Sequence, residues 1–127
     1  MKGRQRMFNI DAMSRTPVYE QLIQQVEILV LTGIMKSGDK MPSVRSLSGE
    51  LSINPNTIQK AYAELDRKGL ITSVPGKGSF ISEDAISIIW NDKREQTTEL
   101  KDIIKEMKLA GVGKAEIIAL VEEVYDD

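Results

Sequence analysis

The amino-acid sequence predicts a mainly α chain carrying one small β-hairpin, an α+β arrangement. Three observations lead there. Apolar residues recur at helical spacing along most of the chain. Cap-then-proline pairs at Thr16-Pro17 and Asn54-Pro55 mark helix starts. Two short runs of β-forming residues flank Pro75-Gly76-Lys77-Gly78 amid the helical patterns. With 127 residues, 41% of them apolar, the chain can fill one domain, or a compact domain with an appendage.

After Thr16-Pro17, Val18, Leu22, Val26 and Leu29 recur at helical spacing until Gly33, so the first helix is expected over 17–32. The segment from Lys36 to Lys40 is turn-rich, and Met41-Pro42 reads as extended because a residue before proline avoids the α region. Ser43 can cap a short helix over 44–51, whose apolar face is Val44, Leu47 and Leu51 and which Gly49 weakens. Asn54-Pro55 opens the next helix, which Gly69 stops near 68 and whose stripe is Ile58, Ala61, Tyr62 and Leu65. Residues 70–74 and 79–82 form the hairpin. Helical periodicity returns from Glu83, with a possible break at Asn91-Asp92 and a firm one at Gly111-Val112-Gly113, and a last helix spans 114–125.

Charge divides the chain at Ser82. Residues 1–82 hold 11 Lys and Arg against 7 Asp and Glu, a balance of +4, while residues 83–127 hold 6 against 12, a balance of −6. A positive segment suits a polyanion and an acidic one suits protein contacts, although uneven scatter of solvated charge would give the same tally. The chain has no Cys and no His, which removes disulfides, thiolate chemistry, the imidazole base and the commonest metal ligand. No nucleophile–base pair or metal-ligand spacing is visible, so an enzyme is the weakest option and neither a cofactor nor a metal is expected. The opening MKGRQRMFNI is basic without an apolar core, and no apolar run approaches bilayer length, so a soluble, cytoplasmic protein without membrane partners is expected.

Two short helices joined by a tight turn, an earlier helix behind them and a hairpin after them describe a winged helix-turn-helix, whose second short helix enters the major groove of DNA. The apolar stripe would hold that helix to the body and leave Asn56, Thr57, Gln59 and Lys60 outward. Asn and Gln match the edge of adenine, and free N–H groups at a helix start favour an anion. Asn54 is expected chiefly as a cap, whereas Gln59 and Lys60 have no capping work. Arg45 sits in a first helical turn where a cation opposes the helix dipole; an external anion or a guanine edge would explain it, and so would simple exposure.

Gly76-Lys77-Gly78 is no phosphate-binding loop of the nucleotide type, because Ile71 and Gly78 stand where that pattern needs Gly and Ser or Thr. Gly113-Lys114 fails likewise, with Lys108 and Ala115. The hairpin tip is either an ordinary turn or a small cationic wing that approaches a phosphate backbone.

Residues 17–82 resemble the DNA-binding domain of the GntR family of bacterial transcription regulators through PVYEQLIQQVEILVLTG, SGDKMPSVRSLSGELSINPNTIQKAYAELDRKGLI and GKGSFI. The Asn-Pro-Asn-Thr form, the Lys-Ala-Tyr that follows and the short tail resemble its YtrA subfamily. The resemblance implies a DNA-binding homodimer, usually a repressor, on an inverted-repeat operator, commonly of a transporter operon. By motif position it implies DNA contact by Ser43, Arg45, Asn54, Asn56, Thr57, Lys60, Lys77 and Gly78. Ser48-Gly49 and Ile81-Ser82 depart from the family pattern and put local rigidity in question.

Residues 1–82 are thus expected to form the winged helix-turn-helix domain and 83–127 a helical dimerisation region. The 45 residues of the tail are too few to enclose a ligand pocket of about 300–1,000 Å³, so any small-molecule effector would have to sit between subunits. Its apolar rows, Ile86, Ile89, Trp90, Leu100, Ile103, Ile104, Met107, Ile117, Leu120, Val121 and Val124, are expected to pack against a second copy; folding back on the same chain is the rival. The rival function is a winged-helix protein–protein module, against which stands the lack of aromatics on the outward side.

Overall fold

The computed structural model describes residues 7–127; the basic stretch 1–6 lies outside them. The element order is α1 (Val18–Leu31), α2 (Val44–Leu51), α3 (Pro55–Arg67), β1 (Ile71–Val74), β2 (Gly78–Ile81), α4 (Ala85–Glu95), α5 (Thr97–Leu109) and α6 (Lys114–Tyr125). Two compact units result, one ending at Trp90 and the other spanning Asn91–Asp127. The first unit therefore runs past Ser82, where the change of charge had placed the boundary.

In the first unit, α1, α2 and α3 enclose a core in which Leu22, Val26, Leu47, Ile58, Leu65 and Leu70 are almost wholly buried. With Phe8, Ile71 and Ile89 these make nine such side chains among the described residues, and at about 1.5–3 kcal/mol for each large apolar side chain they far outweigh any single polar contact. The chain before α1 is stapled to it by two glutamines. Gln21, only 8% exposed, receives Asp11 N–H through Oε1 (2.9 Å) and donates through Nε2 to the carbonyls of Asp11 and Thr16 (2.9 and 2.8 Å). Gln25 accepts from Asn9 N–H (2.7 Å) and donates to the Asn9 carbonyl, which seats Phe8 in the core. Pro17 itself is the cap residue of α1 and no side chain caps that end, so Thr16 does not play the capping part its sequence suggested. Its carbonyl is instead taken by Gln21.

The turn between α2 and α3 is tied by hydrogen bonds on both sides of Ser52. Ser52 adopts the left-handed region at φ 55°, Ser48 Oγ donates to the Ile53 carbonyl, and Ile53 N–H returns to the Ser48 carbonyl (3.2 Å). The departure at Ser48 thus pins the turn rather than loosening it. At Gly49 an added Cβ would meet open space, so no packing demands glycine there. α3 ends on Gly69 at φ 83°, with Leu70 N–H reaching Leu65 O and Gly69 N–H reaching Asp66 O, both 2.9 Å. That paired pattern satisfies the carbonyls a helix end leaves open.

β1 and β2 pair antiparallel in the register Ile71↔Ile81, Thr72↔Phe80, Ser73↔Ser79 and Val74↔Gly78. Pro75 and Gly76, the latter at φ 76°, fill the central turn positions, and Lys77 N–H donates to Val74 O (2.9 Å). The segment around Lys40, expected as a turn, adds itself to the free edge of β2: Lys40 bridges Phe80, Met41 N–H donates to Ser79 O and Ile81 N–H to Asp39 O, both 2.8 Å. Ile81-Ser82, the other departure, is held by that edge and by Ser82 N–H to Leu70 O (3.0 Å). Ala85 and Ile89 of α4 complete this unit's core.

In the second unit the helix break falls at Gln96 rather than at Asn91-Asp92. α5 ends in the same paired pattern as α3, with Gly111 at φ 89°, Gly111 N–H to Lys108 O (3.1 Å) and Val112 N–H to Met107 O (3.0 Å). α6 occupies the span its periodicity predicted. Neither α5 nor α6 has a buried residue, so their apolar rows remain largely uncovered.

Candidate nucleic-acid interface

The face of interest begins at the starts of α2 and α3. Ser43 Oγ accepts from Ser46 N–H (3.0 Å) and Asn54 Oδ1 accepts from Asn56 N–H (2.8 Å), so both side chains cap their helices. In α3 Pro55 brings no N–H and Thr57 N–H bonds the Asn54 carbonyl (3.0 Å), so the start of that helix is satisfied within the chain. No acidic residue stands in the first turn of either helix, so no carboxylate there opposes the approach of an anion.

α3 sorts its residues as the stripe requires. Ile58, Ala61 and Leu65 are fully buried and Tyr62 nearly so, while Asn56, Gln59 and Lys60 are exposed and Thr57 is half-buried. Tyr62 fixes the start of α2 to α3 by donating its phenol to the Pro42 carbonyl (2.6 Å). Burial raises the pKa of that phenol, which stays protonated and a donor. Arg45 is exposed on α2. Lys60 has an anchor that the sequence did not show: its ammonium lies 3.9 Å from the centroid of the Tyr19 ring on α1. The Tyr19 pKa is raised first by the charge of Glu20, whose carboxylate also accepts from the phenol (3.3 Å).

The wing carries Lys77, exposed at the hairpin tip, and Gly78. A groove of about 540 Å³ runs between the wing and the start of α2, and Ser43, Lys77 and Gly78 line it together. Arg45, Asn54, Asn56, Thr57, Gln59 and Lys60 do not line it and lie along the two helices. Lys40 and Tyr62 also line the groove, and sequence reasoning missed both. The only sequence signal for Lys40 was its place beside the extended Met41-Pro42, since a single bridge to β2 leaves no alternating pattern.

Among residues expected to face a second copy, Ile89 is 0% exposed and belongs to the first unit's core. That corrects its assignment: it lies on the inward side of α4, while Ile86 and Trp90 remain exposed. Leu100, Ile103, Leu120, Val121 and Val124 are exposed, and Ile104, Met107 and Ile117 are half-buried.

Residues 18–81 match the family model described as bacterial regulatory proteins of the gntR family. The chain belongs to the GntR family. It is 44% identical over 95% of its length, and 94% of the relative's, to the HTH-type transcriptional repressor YtrA of Bacillus subtilis (strain 168). A GntR family transcriptional regulator from Listeria monocytogenes shares the fold at a TM-score of 0.70, with 39% identity over 90% of this chain and 98% of that one. The DNA-binding domain of AraR, solved in complex with an operator, matches at a TM-score of 0.52 with 26% identity over 59% of this chain and 93% of that one. This GntR chain is accordingly a transcription regulator of the helix-turn-helix type and not an enzyme. Among the described residues, no helix is long and apolar enough to cross a membrane.

Proposed function

We propose that the chain is a cytoplasmic, sequence-specific repressor that binds an inverted-repeat operator as a homodimer, the operator being that of a transporter operon. The observation that carries DNA readout is the outward side of α2 and α3: Arg45, Asn56, Gln59 and Lys60 stand exposed beside capped helix starts free of acidic residues. Two copies of α3 would enter successive major grooves about 34–36 Å apart, with Lys77 and Gly78 at flanking backbone. Repression follows from likeness to the YtrA repressor of Bacillus subtilis, and the transporter operon from the resemblance of the sequence to the YtrA subfamily. Support for the dimer comes from α5 and α6, which bury no residue and expose Leu100, Ile103, Leu120 and Val121. Apolar rows of that extent are covered in water by a second surface, and a two-fold contact between identical helices does so symmetrically.

The test pairs the chain with DNA from its own promoter and with random duplex. Arg45→Ala should weaken operator binding by about 1–3 kcal/mol more than random binding, as loss of a base contact does. Equal loss on both would make Arg45 a phosphate clamp, and no binding of either by the unaltered chain would refute DNA readout. Light scattering that shows a stable monomer at micromolar concentration would refute the dimer.

A further inference from the structure

The groove between the wing and α2 has a charge pattern that the motif positions do not account for. Its lining includes Lys40 and Lys77 and no carboxylate. Among the described residues, neither of these lysines nor Arg45 has an acidic partner within ion-pair distance. Pro42, Val44, Val74 and Pro75 line the groove with apolar surface, and Ser43, Ser73 and Ser79 add hydroxyls. Apolar lining beside unpaired cations fits a sugar-phosphate strand, whose sugars pack on the apolar residues while its phosphates meet the ammonium groups.

Gly78 explains how Lys40 gets there. The bridge to Phe80 fixes the Lys40 backbone on the edge of β2, two residues along the strand from Gly78 and one from Ser79. The lysine stem then passes directly over Gly78: a Cβ built on that glycine would stand 2.9 Å from Lys40 Cε and 3.7 Å from Nζ. Gly78 also holds φ 117°, which side chains rarely adopt. The motif assigns Gly78 to DNA contact; the geometry gives it a second task, clearing a path for a cation.

We propose that Lys40 is a phosphate-contacting residue of the interface, carried across the wing over Gly78 into this groove. The proposal rests on the DNA-binding reading above and adds to it a contact and its positioning residue. A bound phosphodiester strand would be met by Lys77 at the tip and by the Lys40 ammonium beside Gly78.

The experiment is the salt dependence of binding by the full chain to a random-sequence duplex, followed by fluorescence anisotropy between about 50 and 200 mM salt. Lys40→Gln should lower the log–log slope by about 0.9, the release expected for one phosphate contact, and Lys40→Arg should keep it. Gly78→Ala should lower the slope more in the unaltered chain than in the Lys40→Gln background, where only the direct contact of Gly78 remains to be lost. Melting curves confirm that each variant folds. An unaltered chain that binds with a slope Lys40→Gln does not change overturns this proposal and leaves DNA binding standing; no binding by the unaltered chain overturns the reading beneath it. If Gly78→Ala acts equally in both backgrounds, Gly78 does not position Lys40.

Discussion

Ile89 and Trp90 are neighbours in one helix, yet the structure gives them opposite surroundings, 0% and 55% exposed. Replacing Ile89 by Ala removes three carbons from the core of the first unit. At about 0.8 kcal/mol for each buried carbon the transfer loss is about 2.4 kcal/mol. The cavity left behind adds to it, since core residues such as Ala85, Leu65 and Ile71 are held in helices and a strand and relax only in part. The expected cost is about 3–4 kcal/mol, within the range of about 2–5 measured for such truncations. Trp90→Ala should change the stability of the chain by no more than about 0.5 kcal/mol. If two copies pair through α4 to α6, its effect should appear instead in the dimer dissociation constant. Urea unfolding followed by far-UV circular dichroism measures both variants, and the midpoint should move for Ile89→Ala with the slope unchanged. A cost below about 1 kcal/mol for Ile89→Ala, or an equal cost for Trp90→Ala, would show that α4 does not pack by its Ile89 side.

Asn54→Ala should destabilise the chain by about 1 kcal/mol in the same assay, because the N–H of Asn56 loses its acceptor, while Asn54→Ser should restore most of it. A neutral Asn54→Ala would mean that the cap contributes nothing to α3. Glu64 is held by Arg67 through two hydrogen bonds of 2.9 Å, and that bonding, ahead of the nearby positive charges, lowers its carboxyl pKa. A lowered carboxyl pKa favours the folded chain at neutral pH, and that contribution fades as pH falls through the lowered value. A carboxyl NMR titration should place Glu64 below an ordinary glutamate, and Arg67→Gln should return it; an unchanged titration in the variant would exclude Arg67 as the cause.

The interface was legible to different depths. The stripe of α3, the cap by Asn54 and the exposure of Gln59 could all be read from spacing, because a helix sorts residues by position and caps act over two or three residues. Lys60 was rightly placed outward, but its seat on Tyr19 depends on how α1 crosses α3. The departures at Ser48 and Ile81-Ser82 looked like weaknesses in a motif and proved to be tied down by hydrogen bonds.

By itself, the sequence determined the order and kinds of the elements, the spans of α2 and α6 and the family to which the chain belongs. Those features rest on interactions between residues three or four apart and on turn chemistry, which any isolated stretch already contains. Tertiary structure alone decided that Ile89 is core while Trp90 is surface, that the first unit reaches beyond Ser82, and that Lys40 joins the wing across Gly78. Each of those depends on surfaces brought together from distant parts of the chain, and an apolar residue at helical spacing, or a lysine beside a turn, carries no mark of which surface it will meet.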